Sequence, residues 1–224
     1  MLKRLSLLLA GLLVLCTEVH AFNQEPDRNW VAAWPMTDFS QSDVAFSEVF
    51  SGGVPKDGIP SIDSPQFVPI ADAEELASNA PVMSLEIEGD ARAYPLAVLI
   101  WHEIVNDTVG GLPVAITYCP LCNSGVVFER TVDGEMTTFG TTGKLRNSDL
   151  IMYDRATESW WQQFEGRAII GARLGTELVR VPARLESFAD FQTRFPDGQV
   201  LVPNDPRMRD YGRNPYAGYD SAAR

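Results

Sequence analysis

The sequence predicts an α+β fold that is β-rich, mainly antiparallel sheet or partial barrel with few short helices. Short apolar and β-branched runs recur at close spacing from Val82 onward. Tight-turn signals separate them, above all Asp133-Gly134 and Gly110-Gly111. Only one segment, where Phe188, Phe191 and Phe195 recur before Pro196-Asp197-Gly198, has helical period with a clear stop.

In chain order, residues 1–21 read as a secretory signal peptide. Lys3 and Arg4 give a positive start, residues 5–16 are apolar or small, and Val19-His20-Ala21 offers the cleavage site. The apolar run is too short to span a bilayer as a helix. Residues 22–81 are expected to form an extended N-terminal arm: about two helical turns before Gly52, a turn-rich stretch over 52–60, and one more helical turn over 72–78. Residues 82–224 are expected to form the β-rich domain. Strands are expected over 82–87 and 91–94 around Glu88-Gly89-Asp90, and over 126–132 and 135–139 around Asp133-Gly134. Further short strands are expected over 150–153, 159–164, 168–170 and 178–181. Residues 140–145 resemble a phosphate loop only superficially and read as a turn leaving a hairpin. Trp160-Trp161 should face opposite sides of a strand, one in the core and the other under a loop or flooring a pocket.

Charge narrows the function classes. The chain has 18 basic and 30 acidic residues, a net charge of −12. Cleavage after Ala21 removes Lys3, Arg4 and Glu18, leaving 16 basic against 29 acidic residues, or −13. Nucleic acid is excluded as a partner, since phosphate binding needs a basic face. Anionic lipid is disfavoured for the same reason. A periplasmic or secreted protein with no transmembrane segment after cleavage is expected. Its cysteines then meet an oxidising compartment, where a disulfide can persist.

Cleavage also removes Cys16 and His20, so the mature chain keeps Cys119, Cys122 and a single histidine, His102. If Gly110-Gly111 make a two-residue turn, Val109 faces Leu112, Asp107 faces Val114 and Val105 faces Ile116. Continued back, the register sets His102 opposite Cys119, at about 4.5–5.5 Å between Cβ atoms. A helix over 96–102 would end the register short of His102.

Three chemistries suit these residues. Thiol–disulfide exchange would use Cys119 as attacking thiol, Cys122 as resolving thiol and His102 to favour the thiolate. A soft-metal site would use Cys119, Cys122 and His102 on copper(I) or zinc, with Met152 or Asp154 as fourth ligand. A nucleophilic Cys119 would take His102 as base and Asn106 or Asp107 as orienter. The bland alternative is a binding module with a structural disulfide, although so small a loop constrains the unfolded chain little. Asp154 and Arg155 are supporting candidates to line a site, or form a solvated ion pair. The Cys-Pro-Leu-Cys motif lacks the following histidine of covalent haem attachment. The partner implied is a redox protein or a metal donor.

The segments at 56–60 (Lys-Asp-Gly-Ile-Pro), 91–95 (Ala-Arg-Ala-Tyr-Pro), 102–107 (His-Glu-Ile-Val-Asn-Asp), 118–122 (Tyr-Cys-Pro-Leu-Cys) and 152–155 (Met-Tyr-Asp-Arg) resemble, in order and spacing, the DUF3179 family. The resemblance runs from about residue 51 to the C-terminus. It implies an exported or membrane-associated bacterial or archaeal protein with no agreed activity. Some members are catalogued as selenoproteins, which implies redox or soft-metal chemistry at the cysteine motif. Others lack a cysteine matching Cys122, which implies a single functional Cys119. Members also run on past the point matching Arg224, which implies that the β-rich domain is cut short here.

Overall fold

The computed structural model describes residues 25–219. The expected signal peptide lies outside the described residues. Helix α1 (Arg28–Ala33) is capped by the Asp27 carboxylate, which accepts from the Asn29 amide at 2.8 Å. A 3-10 turn (Phe46–Glu48) leads to β1 (Val49–Ser51), and β2 (Gln66–Pro69) leads to a second 3-10 turn (Ile70–Asp72). The expected turn over 72–78 thus forms earlier. Next come β3 (Pro81–Ile87), β4 (Asp90–Pro95), α2 (Leu96–His102), β5 (Ile104–Val109) and β6 (Leu112–Cys119). They are followed by β7 (Ser124–Glu129), β8 (Thr131–Val132), β9 (Glu135–Met136), β10 (Phe139–Arg146) and β11 (Asp149–Asp154). The last elements are β12 (Trp160–Gln162), β13 (Arg167–Ile170), β14 (Arg180–Val181), β15 (Arg184–Ser187), α3 (Phe188–Arg194) and β16 (Gln199–Val202).

The strands form a sheet of order β1-β10-β11-β12-β13, one of order β14-β7-β6-β5, one of order β15-β3-β4-β16-β2, and the small β8-β9 hairpin. Pairing is antiparallel except between β16 and β4. The mainly antiparallel, strand-rich fold is the one expected, and none of the sheets closes into a barrel. Among the described residues no helix is long and apolar enough to cross a membrane.

The β5–β6 register is the one the Gly110-Gly111 turn predicts: Val109 pairs with Leu112, Asp107 with Val114 and Val105 with Ile116. Gly110 has φ of +54°, and a Cβ there would come within 2.2 Å of the Ile87 carbonyl oxygen, so no larger residue fits.

Both faces of β6 are buried, which makes its sheet a middle layer. Val114, Ile116 and Tyr118 pack with Tyr94, Leu99 and Met83 on one side. Ala115 and Cys119 pack with Phe139, Leu150, Met152 and Trp161 on the other. Alternation along one strand therefore aims Cys119 at the sheet that carries β11. Both tryptophans of β12 are fully buried: Trp161 in that inner layer, Trp160 against Trp34 and Phe46 of the N-terminal arm. No tryptophan there floors a pocket.

Residues 140–145, expected as a turn, are the body of β10. Thr141 and Thr142 are buried, and the strand absorbs Gly143 (φ +69°) as an irregularity in its pairing with β11. The Gly-Thr-Thr-Gly run marks a bulged strand rather than its end.

Candidate metal centre

Three ligand-type groups meet where the middle sheet abuts the β10–β13 sheet. Sulfur Sγ of Cys119, Sγ of Cys122 and a carboxylate oxygen of Asp149 lie within 4.8 Å of one another. Cys119 ends β6, and the Cys119–Ser124 pair closes the β6–β7 hairpin around Cys122. Asn123 completes that turn at φ +49°, a left-handed conformation that asparagine tolerates. Asp149 begins β11 directly after Asn147 and Ser148, at φ +54° and +62°, which form the two-residue β10–β11 turn. Left-handed backbone thus flanks two of the three groups. For a serine that conformation is costly, and such strain clusters at functional sites.

Both cysteines are free thiols. Cys119 is 1 % exposed, while Cys122 is open to solvent. The Cys122 Sγ lies 3.4 Å from Asp149 Oδ1 and 3.0 Å from Ser124 Oγ. The Cys119 thiol faces the Ser148 carbonyl at 3.6 Å. Asp149 is itself buried, and its Oδ2 accepts from Gln162 Nε2 at 2.5 Å and from the Phe164 amide at 3.0 Å. Burial pushes the Cys119 thiol well up, and hydrogen bonding with the Cys122 side chain adds to this, against backbone groups of Cys122 and Leu150 that favour the thiolate. Among the described residues neither sulfur has a Lys or Arg hydrogen-bond partner. Arg146 lines the adjoining cleft but is held by Glu48 and Gln162. That cleft, about 360 Å³, is also lined by Cys122, Ser124, Asn147 and Asp149.

His102 is not in the group. Residues 96–102 are helical, so the hairpin register ends at Ile104–Thr117. The imidazole is buried with both nitrogens engaged. Nδ1 is 2.7 Å from the Pro60 carbonyl, which can only accept, so Nδ1 carries the proton and Nε2 accepts from the Tyr211 hydroxyl at 2.8 Å. Burial lowers its pKa. His102 therefore neither bases nor ligates Cys119 here, and Asp149 stands where His102 was expected.

The family model of a protein of unknown function (DUF3179) matches residues 56–224, most of the chain. The chain belongs to the DUF3179 family. No curated protein and no solved structure matches it. The matched span holds Cys119, Cys122 and Asp149, and it holds the family motifs at 56–60 and 152–155.

The polar side chains of those two motifs partner one another and their neighbours rather than the thiols. The Tyr153 hydroxyl donates to Asp57 Oδ2 at 2.6 Å, and Arg155 pairs with Asp63 at 3.0 Å. Asn106 joins them, with Nδ2 donating to Asp63 at 2.7 Å and to the Phe139 carbonyl at 2.8 Å while Oδ1 accepts from the Phe139 amide. Asp107 takes both oxygens to Arg92 at 2.8 Å and accepts from the Tyr94 hydroxyl at 2.6 Å. Asp154 is wholly buried, accepting from Thr157 and from Trp161 Nε1. Met152 is core. Asn106, Asp107, Asp154 and Arg155 tie strands together rather than orient a thiol; Asp154 is not in the Cys119–Cys122–Asp149 group, while Met152 packs in the same core cluster as Cys119.

The residue missed by sequence reasoning is Asp149. Its only sequence signal is Asn147-Ser148 ahead of an apolar strand, a hairpin cue that places Asp149 opposite Arg146 but says nothing about which sheet faces it.

Proposed function

We propose that this exported protein binds zinc through Cys119, Cys122 and Asp149, leaving one coordination position open to the cleft. The observation that carries this is the gathering of two thiols and a buried carboxylate within 4.8 Å of one another, with no Lys or Arg hydrogen-bonded to any of the three among the described residues. A zinc ion there would displace the two thiol protons and give the buried Asp149 carboxylate a counter-charge. Two sulfurs suit zinc or copper(I), while the carboxylate tips the set toward the borderline ion zinc. Three protein ligands plus an open position is the pattern of zinc sites that handle a substrate or water.

The test is zinc content and thiol state of the mature protein purified without added metal or reductant. About one equivalent of zinc with two alkylatable thiols, lost in Cys122→Ser and held more weakly in Asp149→Ala, supports the proposal. A metal-free protein that takes up no zinc on titration overturns it.

One observation favours a second reading, thiol–disulfide exchange. The two thiols differ sharply in exposure, so Cys122 would attack a partner disulfide and Cys119 would resolve the mixed disulfide from behind. This reverses the order expected from sequence. A readily reducible Cys119–Cys122 disulfide in the metal-free protein would favour it.

A further inference from the structure

Adjacent glutamines, Gln162 and Gln163, end β12 and enter its turn, and both are almost completely buried, at 4 % and 0 % exposure. A buried glutamine needs partners for its amide. Those partners lie on the two arms of the cysteine site. Gln162 donates from Nε2 to Asp149 Oδ2 at 2.5 Å and to the Arg146 carbonyl at 3.3 Å, and its Oε1 faces Arg146. Gln163 accepts from Ser124 Oγ at 2.8 Å and donates to Thr117 Oγ1 at 2.8 Å, and Thr117 is anchored on the Val126 carbonyl. Ser124 Oγ is in turn 3.0 Å from Cys122 Sγ.

From this arrangement we infer that Gln162 is a positioning residue that orients Asp149 as a one-oxygen ligand. The inference rests on the zinc reading above. With Oδ2 occupied by Gln162 and the Phe164 amide, only Oδ1, the oxygen facing Cys122, is free to bind a metal. Outer hydrogen-bond partners that fix a ligand's direction typically contribute 10–100-fold in metal affinity. Gln162 hydrogen-bonds neither sulfur, so it acts through Asp149.

The experiment is zinc competition against a chelator on the reduced mature chain, with thermal unfolding of the metal-free form alongside. Gln162→Met is expected to weaken zinc about 10–100-fold. In an Asp149→Asn background the same change should have almost no further effect, because its route to the metal is gone. Gln162→Glu, similar in size, sets a second carboxyl against Oδ2 and serves if the methionine variant does not fold. Full additivity of Gln162→Met with Asp149→Asn, or wild-type affinity in both Gln162 variants, overturns the inference while leaving zinc binding intact. Absence of zinc binding by the wild type instead overturns the reading beneath it.

Discussion

Glu103 provides a sharp test of the packing around the site. It follows α2 at φ +59°, is 6 % exposed, and accepts the Tyr216 hydroxyl at 2.8 Å. Burial raises its carboxyl from 4.5 to about 7, against the opposing Tyr216 hydrogen bond. Such a group holds its proton more tightly folded than unfolded. Its folding penalty is therefore absent below about pH 4.5, grows as pH rises, and is complete above about 7. At about 1.4 kcal/mol per tenfold change in proton affinity, the complete penalty is about 3 kcal/mol. Glu103→Gln removes the charge and keeps an acceptor for Tyr216. Urea unfolding with reductant and chelator present should give the variant near-wild-type stability at pH 4.5 and an advantage of about 3 kcal/mol at pH 8. A variant-minus-wild-type difference that stays flat from pH 4.5 to 8 would refute the desolvation argument.

Asp107→Ala should destabilise by about 3 kcal/mol in the same assay, because it leaves the half-buried Arg92 with only Asp90 and takes the acceptor from the buried Tyr94 hydroxyl. Gly110→Ala should cost at least about 2 kcal/mol, since its Cβ meets the Ile87 backbone, whereas Gly111→Ala, with open space around it, should cost only about 1 kcal/mol for its φ of +82°. His102→Ala should leave zinc stoichiometry unchanged while lowering the thermal midpoint, because it removes the Pro60 and Tyr211 contacts and no ligand. Zinc lost from that variant at full stability would return His102 to the site.

The hairpins were legible because their information is local. Gly110-Gly111 set the β5–β6 register, and Glu88-Gly89 and Asp133-Gly134 mark the turns they predict. The phenylalanine spacing marks α3, whose N-cap is Ser187. What failed depends on longer range. Residues 96–102 carry both an apolar run and a strand-like extension of the hairpin, and packing of Val98 and Leu99 against the β3–β4 sheet settles them as helix. That one choice ends the register before His102, whose ring nitrogens engage Pro60 and Tyr211 instead. Asp149 was illegible because its approach to the thiols depends on stacking one sheet on another, which no turn or period encodes. β15 and β16 were missed for a related reason: each is four residues long and finds its place only by pairing with β3 or with β4 and β2.

The two cysteines are neighbours along the chain, and Asp149 is 27 residues beyond Cys122, on another sheet. A cation held by all three would not need the fold for its two sulfurs, because an unfolded Cys-Pro-Leu-Cys segment presents both. Only the carboxylate distinguishes the native chain from the unfolded one. Metal stabilises a protein by the ratio of its affinities for those two states, not by its affinity for the native state alone. The protein would thus bind its ion early, as a dithiol on a nascent hairpin, and fold around it. Each tenfold that Asp149 adds to native affinity would return about 1.4 kcal/mol to the junction between the two sheets.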